Sequence, residues 1–161
     1  MPRVPSLALR PFREADTAFF TALAADERVT RFVGDGRPWA PQLVRDRLRV
    51  ALQEKPVDQL GAARWFIAEE TGESVGLVVC TRRDGGVEIG YWVSPQHWGR
   101  GVAGAMVDLT VAIVPEVYGR VRLLARVDPA NAASARVLTR RGFEPEAGED
   151  GLDRYVLARA Q

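Results

Sequence analysis

The apolar positions of this chain change period several times, and each change marks an element. A short alternating run near Leu7–Arg10 reads as a strand. Ala15, Phe19, Ala22 and Leu23 then recur at helical spacing along one face of a segment from about Glu14 to Ala25. Gly34-Asp35-Gly36-Arg37-Pro38 is a loop, after which Pro41 opens a second helix that ends before Pro56. Trp65–Glu69 and Ser74–Cys80 read as strands joined by a turn at Thr71-Gly72, and Asp84-Gly85-Gly86 supplies the next turn. Three consecutive strands up to Val93 therefore form an antiparallel meander.

Beyond the meander, the segment from about Gly101 to Val114 is apolar on most of its circumference, as a buried helix must be. Val121–Val127 is a further apolar strand. Asn131 is suited to cap a short helix that Gly142 stops, and Phe143–Pro145 with Leu152–Ala158 makes a closing hairpin. This order predicts a mixed α/β sheet with one parallel strand–helix–strand crossover, built as one domain over residues 1–161.

The junction between the third meander strand and the apolar helix carries the candidate chemistry. Val87-Glu88-Ile89-Gly90-Tyr91-Trp92-Val93 ends at Ser94-Pro95 and passes through Gln96-His97-Trp98-Gly99-Arg100-Gly101 into the helix near Val102. A glycine-rich turn at a helix start leaves N–H groups unpaired, and the helix dipole adds positive charge, so the turn suits an anion such as a pyrophosphate. Gly90 inside the strand predicts a bulge or a close backbone approach.

Composition narrows the classes. A net charge of +1 gives no general attraction to nucleic acid or anionic membranes. Lys55 is the lone lysine, and arginine carries the remaining cationic charge. No apolar run approaches the ~18 residues of a membrane span, and the N-terminal residues lack an apolar leader, so a cytoplasmic protein is expected. With one cysteine, Cys80, and one histidine, His97, neither a disulfide framework nor a thiolate–imidazole metal site is expected.

Gly99-Arg100-Gly101-Val102-Ala103-Gly104 also spells G-x-G-x-x-G, and Asp128 ends the next strand near the ~20-residue spacing of a dinucleotide fingerprint. Context opposes a dinucleotide-binding protein. Ser94–Trp98 separates the strand from the glycines, and the upstream strands are hairpins rather than strand–helix–strand units. Asp128 precedes Pro129, where its plain role is to start a turn.

Gln96-x-x-Gly99-x-Gly101 resembles the acyl-CoA motif of the GNAT superfamily of N-acetyltransferases. Asn131-Ala132-Ala133-Ser134 followed by Arg141-Gly142-Phe143, and the opening Leu7-Ala8-Leu9-Arg10-Pro11-Phe12, resemble the branch containing the ribosomal-protein N-terminal acetyltransferases. The resemblance spans essentially the whole chain. It implies a central, mostly antiparallel sheet of about six to seven strands flanked by about four helices. It further implies transfer of an acetyl group from acetyl-CoA to a primary amine, on a protein N-terminus or a small molecule, without a metal.

The same resemblance places pantetheine between the strand ending at Val93 and the one ending at Val127. Trp92, Val93 and Ser94 are then expected to pair with its amides, with a backbone N–H near Val93 supporting the thioester oxygen. Gln96 and Trp98, Gly99, Arg100, Gly101, Val102 and Ala103 would meet the pyrophosphate, and Asn131 would lie where the cofactor passes. Glu88 shares a strand face with Gly90 and Trp92 and is the candidate general base; the plain alternative pairs it with a neighbouring arginine.

Many GNAT enzymes carry a tyrosine seven residues after the asparagine; here that position is Leu138. The resemblance instead directs Ser134 to the CoA sulfur, against the alternative of a first-turn helix residue. Trp39 is an acceptor-pocket candidate or simply an exposed aromatic. His97 reads as loop packing and Cys80 as a buried apolar thiol. An acyl-CoA-binding or sensory module without turnover remains the competing class, and self-association into a homodimer is left open.

Overall fold

The computed structural model describes residues 6–158. The meander forms as its turns dictate: β2 (Ala63–Glu70), β3 (Glu73–Arg83) and β4 (Gly86–Val93). Thr71 and Gly72 both have positive φ, at 49° and 81°, as a two-residue hairpin turn demands. β1 (Leu7–Pro11) adds to β2, and the chain completes a seven-stranded sheet of order β1-β2-β3-β4-β5-β7-β6 with β5 (Leu123–Val127), β6 (Glu144–Glu149) and β7 (Leu152–Leu157). All neighbours are antiparallel except β4 and β5, which α4 (Val102–Tyr118) connects. This is the mixed, mostly antiparallel sheet with one parallel crossover that the pattern predicts.

β4 is not bulged. Its register with β3 runs unbroken from Gly76↔Val93 to Arg83↔Gly86, and the irregularities fall instead between Ala68 and Glu69 and between Glu146 and Glu149. Gly90 serves a different purpose: a side chain built there would meet nothing within 4 Å, so the residue keeps open space above the strand.

The first predicted helix divides. A 3-10 turn at Glu14–Asp16 leads into α1 (Thr17–Ala24), and a separate turn of helix, α2 (Glu27–Thr30), follows. The break rotates the buried face, so Phe20, Leu23 and Ala24 are buried while Ala15 and Ala22 are exposed. Its cause is Asp16, whose buried carboxylate accepts two hydrogen bonds from Arg10 on β1, at 2.7 and 2.8 Å, and one from the Arg13 N–H at 2.8 Å. Glu69 on β2 adds an ion pair to Arg10 Nε at 3.0 Å, out of line for a hydrogen bond. α3 (Pro41–Leu52) starts at its proline as expected.

α4 runs beyond Val114 because Pro115 is tolerated near its end, where Tyr118 anchors the last turn. The Tyr118 hydroxyl donates to Cys80 O at 3.1 Å, and Gly119 N–H closes onto Pro115 O. α4 and α5 (Ala132–Thr139) cover one sheet face, packing Met106, Val107 and Leu138 over Val78, Val87 and Ile89. Gly76 lets α4 approach, since an added Cβ would strike Met106. The other face holds an aromatic core in which Phe20 meets Trp65 edge-on at 4.9 Å and Trp39 meets Trp92 at 5.0 Å. Burial of this kind supplies most of the driving force for folding.

The Arg10–Asp16 pair predicts an acid limb of stability. Arg10's hydrogen bonds, helped by the Arg13 N–H, hold the Asp16 carboxyl below the usual carboxylate range although burial pushes it up. A carboxyl depressed in the fold stabilises it above the unfolded value and loses that contribution as pH falls through the folded value. Urea unfolding should therefore show stability declining below about pH 4. Asp16→Asn should cost about 1–3 kcal/mol at neutral pH and flatten that decline. An unchanged acid limb in the variant would contradict the assignment.

Candidate active site

The site begins where a parallel pair fails. β4 and β5 pair at Val87↔Leu123 and Glu88↔Leu124 and no further, although both strands continue. Backbone groups of an antiparallel strand alternately face their partner and face away. Ser94 N–H donates to Val75 O at 2.9 Å, so Ser94, Trp92 and Gly90 direct their backbone groups at β3. Val87 N–H donates the other way, to Arg122 O at 2.9 Å, and Tyr91 and Val93 follow it into the widening gap beside β5.

The expectation that Trp92–Ser94 offers one continuous edge is corrected accordingly. Val93 offers its backbone to the gap, and Tyr91 joins it, whereas Trp92 and the buried Ser94 do not. The Val93 carbonyl is covered by the indole N–H of Trp98 at 2.8 Å, which leaves the Val93 N–H facing the gap.

At the wide end lies the turn Pro95–His97, a single 3-10 turn, followed by Trp98–Gly101. Gly99 and Gly101 have φ of 80° and 77°, a conformation that favours glycine, and nothing lies within 4 Å of a side chain built on either. Gly101 is the N-cap of α4 and supplies no side-chain cap, so the first N–H groups, Val102 and Ala103 among them, have no capping side chain. An uncapped helix start behind two open glycines suits an anion.

Gly104 has another role: a Cβ there would clash with Arg141, which donates to Gly104 O and Asp108 Oδ1 at 2.9 Å and ties α5 to α4. The G-x-G-x-x-G spelling thus divides between two unrelated tasks. Asp128 accepts from Ala130 N–H at 2.9 Å and starts the turn, as its neighbour Pro129 suggests.

Within the turn, Gln96 is exposed and His97 half-buried, its Nδ1 3.0 Å from Arg100 Nη2. Arg100 also pairs with Glu70 at 2.8 Å, so an anion at the start of α4 would compete with that carboxylate for its guanidinium. Across the gap, Asn131 caps α5, its side chain accepting from Ser134 N–H at 3.2 Å. Leu138 is fully buried in the core. Cys80 lies buried on β3, where desolvation pushes its thiol up to about 12 and keeps it protonated.

Two side-chain links cross the gap, one on each face. On the aromatic face Glu88 accepts from Arg126 of β5 and from Arg83 of β3, each at 2.9 Å. On the helix face the Tyr91 hydroxyl lies 2.7 Å from Ser134 Oγ. Burial raises the Tyr91 phenol, while Ser134's hydrogen bond and Arg141's charge pull the other way. Glu88 and Trp92 share the aromatic face with the open floor at Gly90, and Trp39 packs edge-on to Trp92, half-buried rather than free. Alternation put Tyr91 on the strand face opposite Glu88 and did not show that it meets Ser134; the arginine foreseen as a plain partner for Glu88 is present twice, as Arg126 and Arg83. Among the described residues no acidic, histidine or cysteine cluster could hold a metal, and no helix is long and apolar enough to cross a membrane.

The family model described as "Acetyltransferase (GNAT) domain" matches residues 6–144. An uncharacterised N-acetyltransferase, p20, of Bacillus licheniformis is 30% identical over 145 residues, covering 87% of this chain and 80% of that protein. Another, YoaA of Bacillus subtilis, is 28% identical over 144 residues with the same coverage.

Among solved structures, spermidine N-acetyltransferase from Vibrio cholerae in complex with CoA and spermine superposes with a TM-score of 0.76. It is 16% identical and covers 93% of this chain and 92% of its own. A ribosomal L7/L12 α-N-protein acetyltransferase in complex with CoA gives 0.75 at 17% identity, covering 98% and 97%. Both share the fold while their names point to different acceptors.

Proposed function

The chain belongs to the acetyltransferase (GNAT) domain family, and on that premise we propose that it transfers an acetyl group from acetyl-CoA directly to a primary amine. The observation that carries this reading is the union of the two halves of the site: a gap with the Val93 N–H directed into it, opening onto the uncapped start of α4. One half suits an extended amide-bearing arm and the other its pyrophosphate. Gly99, Arg100, Gly101, Val102 and Ala103 hold the phosphates, with Gln96 and Trp98 flanking them and Asn131 across the gap. Acetyl-CoA, when bound, supplies the activated acyl group and the leaving thiol.

The chain's own residues then divide the work. The Val93 N–H stabilises the carbonyl oxygen as charge develops on it. Glu88 takes the amine proton, directly or through water, and Arg126 and Arg83 fix its orientation. Ser134 donates to the departing sulfur. The acceptor approaches over Gly90, between Glu88 and the Trp92–Trp39 pair. The acceptor is a protein N-terminus or a small-molecule amine, and resemblance to the ribosomal-protein branch supports the former.

A second reading rests on one specific feature. Both Glu88 oxygens already accept from guanidinium groups, which suits a structural link as well as a base. The protein would then bind acyl-CoA without turnover.

Binding is tested by melting curves. At a CoA concentration a hundred times its Kd, wild type should gain about 2.7 kcal/mol, with NAD(H) and ATP giving little. Gly101→Val should lose most of that gain, because it fills the cradle and strains a positive-φ position. Stabilisation by NAD(H) instead of CoA would contradict the reading.

Turnover is tested by thiol release from acetyl-CoA across a panel of amines and N-terminal peptides. With an accepted amine, Glu88→Gln should lower kcat/KM by ~10²–10⁴, with CoA binding unchanged. The loss should shrink as pH rises and more amine is already neutral. Full activity in Glu88→Gln would remove Glu88 as base; CoA binding without thiol release from any amine would favour the second reading.

A further inference from the structure

We propose that Tyr91 is a positioning residue for the leaving sulfur: its hydroxyl donates to Ser134 Oγ and so turns the serine's own hydrogen out toward the thiolate. The inference rests on the acetyl-transfer reading and extends it to a residue outside the motifs.

The two hydroxyls are 2.7 Å apart, and either could donate. Several constraints select the direction. A phenol is far more acidic than an aliphatic alcohol and is the better donor of the two. Its ring is packed against the core beneath α4 and α5, with desolvation raising the phenol, so it keeps its proton through neutral pH. Ser134 is itself held: its N–H donates to the Asn131 cap, which fixes the first turn of α5 at the gap.

A serine in a helix often spends its hydrogen on a carbonyl of the preceding turn. Here the oxygen instead sits against Tyr91. Once that oxygen accepts from the phenol, the serine hydrogen is free for an acceptor in the gap, and the chain of two hydrogen bonds polarises cooperatively.

In the transfer step the amine nitrogen bonds to the carbonyl carbon, the carbon–sulfur bond breaks, and its electron pair goes to sulfur. Ser134 donates to that sulfur while Tyr91 keeps its proton. The thiol's proton comes from solvent, and the amine's proton leaves through the base. Leu138, which stands where many GNAT enzymes carry a tyrosine, is buried in the core and has no part in this. Tyr91 approaches the same sulfur from the opposite wall of the gap, acting through a serine.

The test reads the bound thiol itself and needs no acceptor. CoA is titrated on the full chain, and its thiolate is followed by ultraviolet absorbance against pH. Ser134→Ala should raise the bound thiol's apparent pKa by about one unit, as for loss of a hydrogen bond to a charged group. Tyr91→Phe, which keeps the ring and its packing, should raise it by ~0.3–1 unit. The double variant should match Ser134→Ala alone, since Tyr91 acts only through the serine.

A thermal melt confirms that each variant is folded. A shift in Ser134→Ala with a wild-type curve in Tyr91→Phe would overturn the role of Tyr91, as would additive shifts. No shift in either variant would place the sulfur away from this pair. Failure of wild type to bind CoA in calorimetry would instead overturn the cofactor reading, on which this one depends.

Discussion

A parallel strand pair that stops after two residues is the constraint from which the candidate site derives. Sheets normally continue pairing because a backbone N–H or C=O without a partner costs about 1–3 kcal/mol when buried. Here β5 turns away from β4 after Glu88↔Leu124, and the backbone groups of Tyr91 and Val93 are given up by the sheet. The loss is tolerable because antiparallel pairing with β3 continues along the other edge of β4 as far as Gly76↔Val93. One edge keeps the strand rigid while the other is released.

The splay is also held at a set width. Glu88 reaches Arg126 on one face, Tyr91 reaches Ser134 on the other, and Arg141 ties the helix carrying Ser134 to α4. α4 therefore links three things: it makes the crossover that brings β5 beside β4, it presents its uncapped start at the wide end of the gap, and it packs on Gly76 and on the β4 residues behind it. The aromatic cluster on the opposite face positions the segment bearing Trp39. A lining of packed rings carries less rotational freedom than one of flexible side chains, which suits a surface that must stay open above Gly90.

Features set by local chemistry were readable from the chain. Turn glycines delimited the meander, Asn131 and Gly142 bounded α5, Pro41 opened α3, and the glycines ahead of Val102 marked the uncapped start of α4. What escaped depended on partners distant in sequence. The break before α1 needs Arg10 to draw in Asp16, and helical periodicity carries no trace of that pair. The helix expected to end at Val114 runs on through Pro115, because Tyr118 finds a carbonyl on the sheet and anchors a further turn. Gly90 suggested a bulge because glycine in a strand usually signals backbone distortion; it instead leaves space above an undistorted strand. Alternation correctly separated Glu88 and Trp92 from Tyr91, but it could not tell that Tyr91 would reach another hydroxyl rather than only pack.

The central claim is that the gap beside β4 receives the arm of coenzyme A. Residue-resolved hydrogen exchange tests it most directly, because neighbouring amides on one strand act as opposite reporters. The amides of Tyr91 and Val93, released by β5, should exchange readily in the free protein and slow about tenfold or more with saturating CoA. Those of Gly90 and Trp92, already facing β3, should be slow in both states. CoA bound with no slowing at Tyr91 and Val93 would contradict the account and place the ligand elsewhere.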